Sequence, residues 1–323
     1  MHPDAAPPLP ARLRVAIGLA LATAIYVLIF YAHQSPLAVS DFDAIWVGAR
    51  ALRDGGSPYA AIQSPPWPWD LQYPLPAVIV ALPFSFIPLK LARAVFMGMA
   101  IGLFAFGLTR RAWWPLIALA GGQTFFALHS VQWSPLFAAA VLLPALRVLW
   151  SIKPTTGGPL IVAYPDWRVV VGAIVLFGLA FAVFPGWVEP WLAAVRAAPH
   201  IPAVLRPGGI VLLLALLRWR LPEARQLAVL ACAPLSPHLY EAVPLLLVAR
   251  TRRELLVLAL FGTLGLAAGA FTPPHIGPDH GPIPWFVVFF AGYLPALVVV
   301  LRHRNVTPPS SEPFTPLTID ERR

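Results

Sequence analysis

The sequence predicts an all-α polytopic membrane protein, and three observations carry that prediction. Of its 323 residues 59% are hydrophobic and only 11% are charged, with a mean hydropathy of +0.73, whereas a soluble domain carries about 25% charged residues. Apolar runs recur along the whole chain, so lipid is its main solvent. The basic residues stand at the ends of those runs, where they set topology, and the net charge of +9 is therefore not a nucleic-acid signal. Nearly all of them are arginine; Lys90 and Lys153 are the exceptions. With so much Ala, Pro and Leu, this usage points to a GC-rich bacterial genome and a plasma membrane. The lone Cys232 excludes a disulfide framework and a thiolate metal site. One transmembrane domain is expected over residues 1–304, followed by a polar, Pro-rich, disordered tail at 305–323.

Arg12 and Arg14 precede an apolar run from about Val15 to Tyr31, longer than the core of about 7–15 residues in a signal peptide. It reads as an uncleaved span with its N-terminus in the cytoplasm, which makes residues 32–74 the first outer loop. In that loop Asp41 and Asp43 stand one residue apart. Phe42, Ile45, Trp46 and Ala49 follow at helical spacing and form one apolar face. Asp41 occupies the N-cap position, and Gly55-Gly56 with Pro58 forms the stop. The expectation is an amphipathic helix on the membrane surface with two acids at its positive end. The loop ends in Pro65-Pro66-Trp67-Pro68-Trp69 and Tyr73-Pro74-Leu75-Pro76, which break helices and suit the interface.

Residues 75–109 hold two apolar runs divided by Pro88-Leu89-Lys90. Further runs fall near 113–129, 134–150, 168–185, 207–219, 225–249, 254–272 and 283–301, with a break at Pro234 to Pro237. The total is about nine or ten spans. If spans alternate after residue 110, then Arg110-Arg111, Lys153 with Arg168, Arg218 to Arg225, Arg250 to Arg253 and Arg302 to Arg304 share the cytoplasmic side. Upstream, two readings stay open. Either 75–88 is re-entrant or surface-lying, or Arg110 and Arg111 are an outer pair with a catalytic or lipid-headgroup role. No internal repeat is evident.

Four places can carry chemistry. Asp41 can take a proton from an attacking hydroxyl, its basicity raised by partial desolvation, or it can simply cap its helix. Asp43 offers a second carboxylate on another face of the helix. In His129-Ser130-Val131-Gln132-Trp133-Ser134, Gln132 can bind sugar hydroxyls or order a tight turn. Lys153, before Pro154, can meet a phosphate or snorkel as a topological anchor. In Ser236-Pro237-His238-Leu239-Tyr240-Glu241, the prolines suit backbone lining a cavity. There His238 can donate to a phosphate or bond a neighbouring helix, and Tyr240 can frame it. Trp187, Glu189, Trp191 and Arg196 suggest an interfacial helix. His275, Asp279 and His280 lie in a Pro-Gly loop that reads as a solvated turn, and Gly121-Gly122 and Gly208-Gly209 read as packing or cap positions. No Walker loop, dinucleotide fingerprint or clear zinc motif is present.

Asp41-Phe42, Ile45-Trp46, Ala49-Arg50-Ala51-Leu52, Gly55 and Pro58-Tyr59 together resemble the opening motif of glycosyltransferase family 87, in the C-type superfamily. The Tyr73-Pro74, Gln132, Lys153-Pro154 and Ser236-to-Glu241 segments resemble later motifs of that family, in the same order. Val131 stands where the family usually has Gly, Glu241 where it often has Asp, and the chain is short for the family. The resemblance implies a C-type bundle and transfer of a sugar, mannose expected, from a polyprenyl phosphate to a lipid or glycan acceptor on the outer face, with inversion. It implies Asp41 as base, with Asp43 as the alternative, and His238 and Lys153 at the donor phosphate. Gln132, Tyr240 and Trp46 are the expected substrate contacts. The partners are then the lipid-linked donor, the acceptor and membrane lipids, with no further cofactor, no clearly required metal and no nucleic acid. The rival readings are a transporter or lipid-handling protein, or a non-catalytic member of the family.

Overall fold

The computed structural model describes residues 7–34, 39–62, 70–198, 200–271 and 283–303. The Pro-Trp stretch at 65–69, the His275–His280 loop and the tail from Asn305 lie outside these residues. Every regular element among the described residues is helical: α1 Leu9–His33, α2 Asp41–Arg53, α3 Leu75–Ala81, α4 Leu89–Leu108, α5 Gly122–His129, α6 Ser134–Leu142, α7 Pro154–Ala163, α8 Trp167–Val183, α9 Val188–Ala197, α10 Pro222–Cys232, α11 Arg252–Phe271 and α12 Trp285–Arg302, with 3₁₀ segments between them.

Four helices, α1, α4, α11 and α12, are long and apolar enough to cross a membrane, and a fifth span is formed if α8 and α9, bent by 106°, count as one. The other apolar runs counted as spans in the sequence are helical but interrupted. The interruptions follow proline: Pro115, Pro144 and Pro244 lie in 3₁₀ segments, and Pro135, Pro154 and Pro222 at the first turns of short helices. A proline removes a backbone donor and clashes with the preceding turn, so a long α-helix cannot run through it undistorted. In α12, Pro295 follows a π-helical stretch at Phe289–Tyr293, a local widening of the kind such a break produces.

The longest helix packing joins α1 to α4. An added Cβ at Gly98 would sit 2.7 Å from the Ala20 carbonyl, and one at Gly102 would sit 2.9 Å from the Ala20 Cβ. This four-residue glycine spacing lets two helices approach closely in lipid. α1 is exposed along a row at Leu9, Leu13, Ile17, Leu21, Ile25 and Ile29, as a lipid-facing helix requires.

α3 and the 3₁₀ segment Leu82–Phe86 are too short to cross. They fold over α2, which is consequently more buried than a helix lying on a surface: Phe42, Ala44, Ile45, Trp46 and Ala49 are all in the core. The Phe42 and Phe96 rings stack at 4.6 Å, and Trp133 packs edge-on to Phe96 at 4.8 Å. Arg110 stands at the end of the bundle where α1 begins, with Arg12 donating to the Phe106 carbonyl at 3.0 Å. Of the two upstream readings, this arrangement fits the non-crossing segment. Lys153, grouped with Arg110 by the alternation argument, lies instead beside Gln132 and near Asp41 of α2.

Two apolar cores result. One gathers Phe42, Ile45, Phe96, Val131, Trp133 and Ile152. The other gathers Leu227, Leu239, Tyr240, Val243, Val288 and Tyr293.

Candidate functional site

The site forms at the seam between these cores. Four segments far apart in the chain deliver one polar cluster: the start of α2, the α5–α6 turn, the residue before α7, and the segment leading into the 3₁₀ helix Leu239–Val248. A polar cluster away from water persists only if its members satisfy one another.

α2 begins differently from its sequence reading. The N-cap is Ser40, not Asp41. Asp43 closes the cap, accepting from the Ser40 amide and hydroxyl at 2.6 Å each. Arg93 of α4 completes the arrangement, its Nε donating to Asp43 Oδ1 at 2.7 Å and its Nη2 to Oδ2. Arg93 also lies 4.0 Å over the Tyr31 ring. Asp43, fully buried, is thus occupied in fixing α2 to α4 and α1. At the other end α2 stops as expected, with Gly55 at φ +81° and its amide on the Leu52 carbonyl.

With Asp43 closing the cap, Asp41 is released from that task. Its amide bonds the Ser130 carbonyl at 3.3 Å. Its Oδ2 accepts from the Gln132 side-chain amide and, at 3.3 Å, from the Tyr240 hydroxyl. Oδ1 accepts from neither. Burial raises the Asp41 carboxyl above its ordinary range, against the opposing pull of Lys153, His238 and the Gln132 bond.

Gln132 is placed by a strained turn. Val131, fully buried, has φ +49°, in the left-handed region where a β-branched side chain is an outlier. Strain of this kind costs on the order of 1–3 kcal/mol and persists where the surroundings dictate it. The Gln132 carbonyl oxygen then accepts from Lys153 Nζ at 3.3 Å.

Lys153 is no snorkelling anchor. Its Nζ donates to Glu241 Oε1 at 2.9 Å and lies 5.6 Å and 5.7 Å from the Tyr73 and Tyr240 rings. Thr156 donates to the other Glu241 oxygen at 2.8 Å. His238 stacks on Tyr240 with ring centroids 5.0 Å apart, and its buried Nδ1 has no hydrogen-bond partner among the described residues.

The structure therefore brings together Asp41, Gln132, Lys153, His238 and Tyr240, and adds Glu241, Tyr73 and Thr156. Tyr73 was visible as part of a Pro-rich turn and of the resemblance, without a role, and nothing in the sequence marked Thr156. Trp46 is engaged elsewhere: its indole N–H donates to the carbonyls of Phe84 at 2.9 Å and Ile87 at 3.3 Å, and Arg50 lies 5.0 Å over its ring. The expected interfacial helix is α9, whose Trp191 donates to the Gln72 carbonyl at 3.0 Å, one residue from Tyr73. Among the described residues no group of three or more His, Cys, Asp or Glu side chains is arranged to hold a metal ion.

Chemically, the cluster offers a desolvated carboxylate with an amide and a hydroxyl on one oxygen, a cation 3.3 Å beyond the amide, and, among the described residues, no hydrogen-bond partner on the other carboxylate oxygen or on one imidazole nitrogen. No family model, no curated protein and no solved structure matches the chain.

Proposed function

We propose that the chain is a membrane glycosyltransferase. It moves a sugar, with mannose the first to test, from a polyprenyl-phosphate donor to a hydroxyl of a lipid or glycan acceptor, on the membrane face that carries Asp41. The observation that supports this reading is the convergence of Asp41, Gln132, Lys153 and Tyr240 into one hydrogen-bonded cluster from segments up to 199 residues apart.

Asp41 is the base. Its open Oδ1 takes the acceptor proton as the acceptor oxygen attacks the anomeric carbon from the side opposite the phosphate, which inverts that centre. The bond from the anomeric carbon to the phosphate oxygen breaks, and its electron pair leaves with the polyprenyl phosphate. His238 Nδ1 donates to that phosphate, and the fixed charge of Lys153 stabilises it. Glu241 holds Lys153 in place and is itself held by Thr156. Asp43 has no part in the chemistry, because Ser40 and Arg93 take both of its oxygens.

The test is transfer from labelled polyprenyl-phosphate-mannose in membranes holding equal amounts of parent or Asp41→Asn protein. The expected result is labelled glycoside and free polyprenyl phosphate with the parent, and neither with Asp41→Asn. Transfer that survives the substitution overturns Asp41 as base. The proline-broken helices also suit a carrier. A carrier would bind the lipid-linked sugar without releasing free polyprenyl phosphate, so that release separates the two readings.

A further inference from the structure

At the opposite end of α1, two arginines share an open cavity of about 370 Å³ lined by Arg12, Phe106, Arg110, Leu143, Pro144 and Ala145. Arg12 donates to the Phe106 carbonyl at 3.0 Å and lies 4.5 Å over its ring, and Arg110 donates to the Leu142 carbonyl at 2.8 Å. Each guanidinium thus uses one edge to finish a helix end, Arg12 on α4 and Arg110 on α6. Among the described residues their other donors have no hydrogen-bond acceptor. Arg12 Nε is buried with no hydrogen-bond partner among the described residues. Among the described residues no carboxylate lines the cavity. Two permanent like charges facing one void, with donors in excess, form an anion site by composition.

We propose that this cavity binds the phosphate of an anionic membrane lipid. Its depth selects a lipid headgroup over a solute. Arg12 lies in the first turn of a 25-residue apolar helix, and Arg110 lies two residues past the end of a 20-residue one, so both sit where spans emerge into the headgroups. Leu9 and Leu13 flank Arg12 and are exposed, and exposed Ile17 and Leu21 continue down α1 as a track for acyl chains. Guanidinium forks match phosphate oxygens in two-point geometry, and basic pockets between helices commonly hold such headgroups. The site is separate from the Asp41 cluster: Tyr31, which meets the α5 end at the His129 carbonyl, is about 28 Å further along the α1 axis than Arg12.

The test uses the full chain in nanodiscs or detergent, with native mass spectrometry counting retained phosphatidylglycerol against phosphatidylcholine. The expected result is preferential retention of phosphatidylglycerol, falling about fivefold for each of Arg12→Gln and Arg110→Gln. Ala145→Glu, which leaves both arginines in place but adds a resident anion, lowers retention as well, and it keeps the test open if an arginine variant fails to fold. Arg253→Gln, an equal loss of charge at the start of α11, leaves retention unchanged. Three results overturn the proposal: equal retention of both lipids, an Arg253→Gln effect as large as that at the cavity, or displacement of the lipid by millimolar inorganic phosphate at matched ionic strength, which would make it a site for the free anion.

Discussion

Removing Arg93 tests the division of labour between the two acids of α2. Asp43 is fully buried and Arg93 is 5% exposed, and the two form a two-point ion pair. Arg93→Met leaves the Asp43 carboxylate with only the two Ser40 donors and no counter-charge. Asp43→Leu takes the carboxylate away from a buried guanidinium that also lies over the Tyr31 ring. Breaking a buried pair from one side costs about 3–5 kcal/mol, whereas replacing both partners by apolar groups is often close to neutral. The double variant also loses the Ser40 cap, worth about 1 kcal/mol. The expectation is about 3–5 kcal/mol for either single change and about 1 kcal/mol for the pair, so the double variant is more stable than either single one. Unfolding of purified protein in mixed micelles with increasing SDS, followed by tryptophan fluorescence, measures all four corners of the cycle. Additive single costs, or an Arg93→Met cost under about 1 kcal/mol, would refute the view that Asp43 is a structural clamp.

Four further outcomes follow from the same geometry. The transfer rate should fall on acidification at a pH above the ordinary carboxylate range, since the base works only when ionised and burial raises the Asp41 carboxyl; an acid limb at the usual position in a pH–rate profile would contradict it. A raised carboxyl favours folding below its unfolded pKa, and that contribution is lost as pH rises through the raised value. Asp41→Asn should therefore unfold at the same or a higher temperature than the parent at pH 7, and a clear drop would show that Asp41 is mainly a stabilising group. Gly98→Val should destabilise by about 1–3 kcal/mol through overpacking on α1, whereas Gly18→Ala, with nothing within 4 Å of its Cβ, should not lower the unfolding midpoint. Trp46→Phe removes the indole donor to Phe84 and Ile87 and should cost about 1 kcal/mol with sugar transfer retained; loss of transfer at full stability would return Trp46 to the site.

The sequence made some of this legible. Hydropathy marked the long spans, and helical spacing from Phe42 to Ala49 with the stop at Gly55 defined α2. Polar residues at run boundaries marked Asp41, Gln132, Lys153, His238 and Tyr240, because an expensive group near lipid advertises itself. The division of roles between Asp41 and Asp43 was hidden, since it depends on Arg93, fifty residues away. Nor could hydropathy separate a continuous span from a proline-broken one, as both have the same composition. Span counting grouped Lys153 with Arg110 for that reason, whereas Lys153 lies beside Gln132 and Glu241 and Arg110 beside Leu142. Val131, which departs from the glycine of the resembling motif, keeps the left-handed geometry that glycine would accept freely, with the strain held in place by its buried surroundings.

The seam between the two cores also sets an order of events during synthesis. Tyr240 joins Asp41 across 199 residues, and a ribosome adding about 5–20 residues each second needs about 10–40 s to make that stretch. Throughout that interval Asp41 has neither Tyr240 nor Glu241 nearby, although Asp43 and Arg93 can already pair. An acid left waiting that long is cheapest at the membrane surface, within reach of water. Carrying it on a short helix that Arg93 can clamp to α4 lets its position be set before the second half of the chain brings Tyr240 and Glu241.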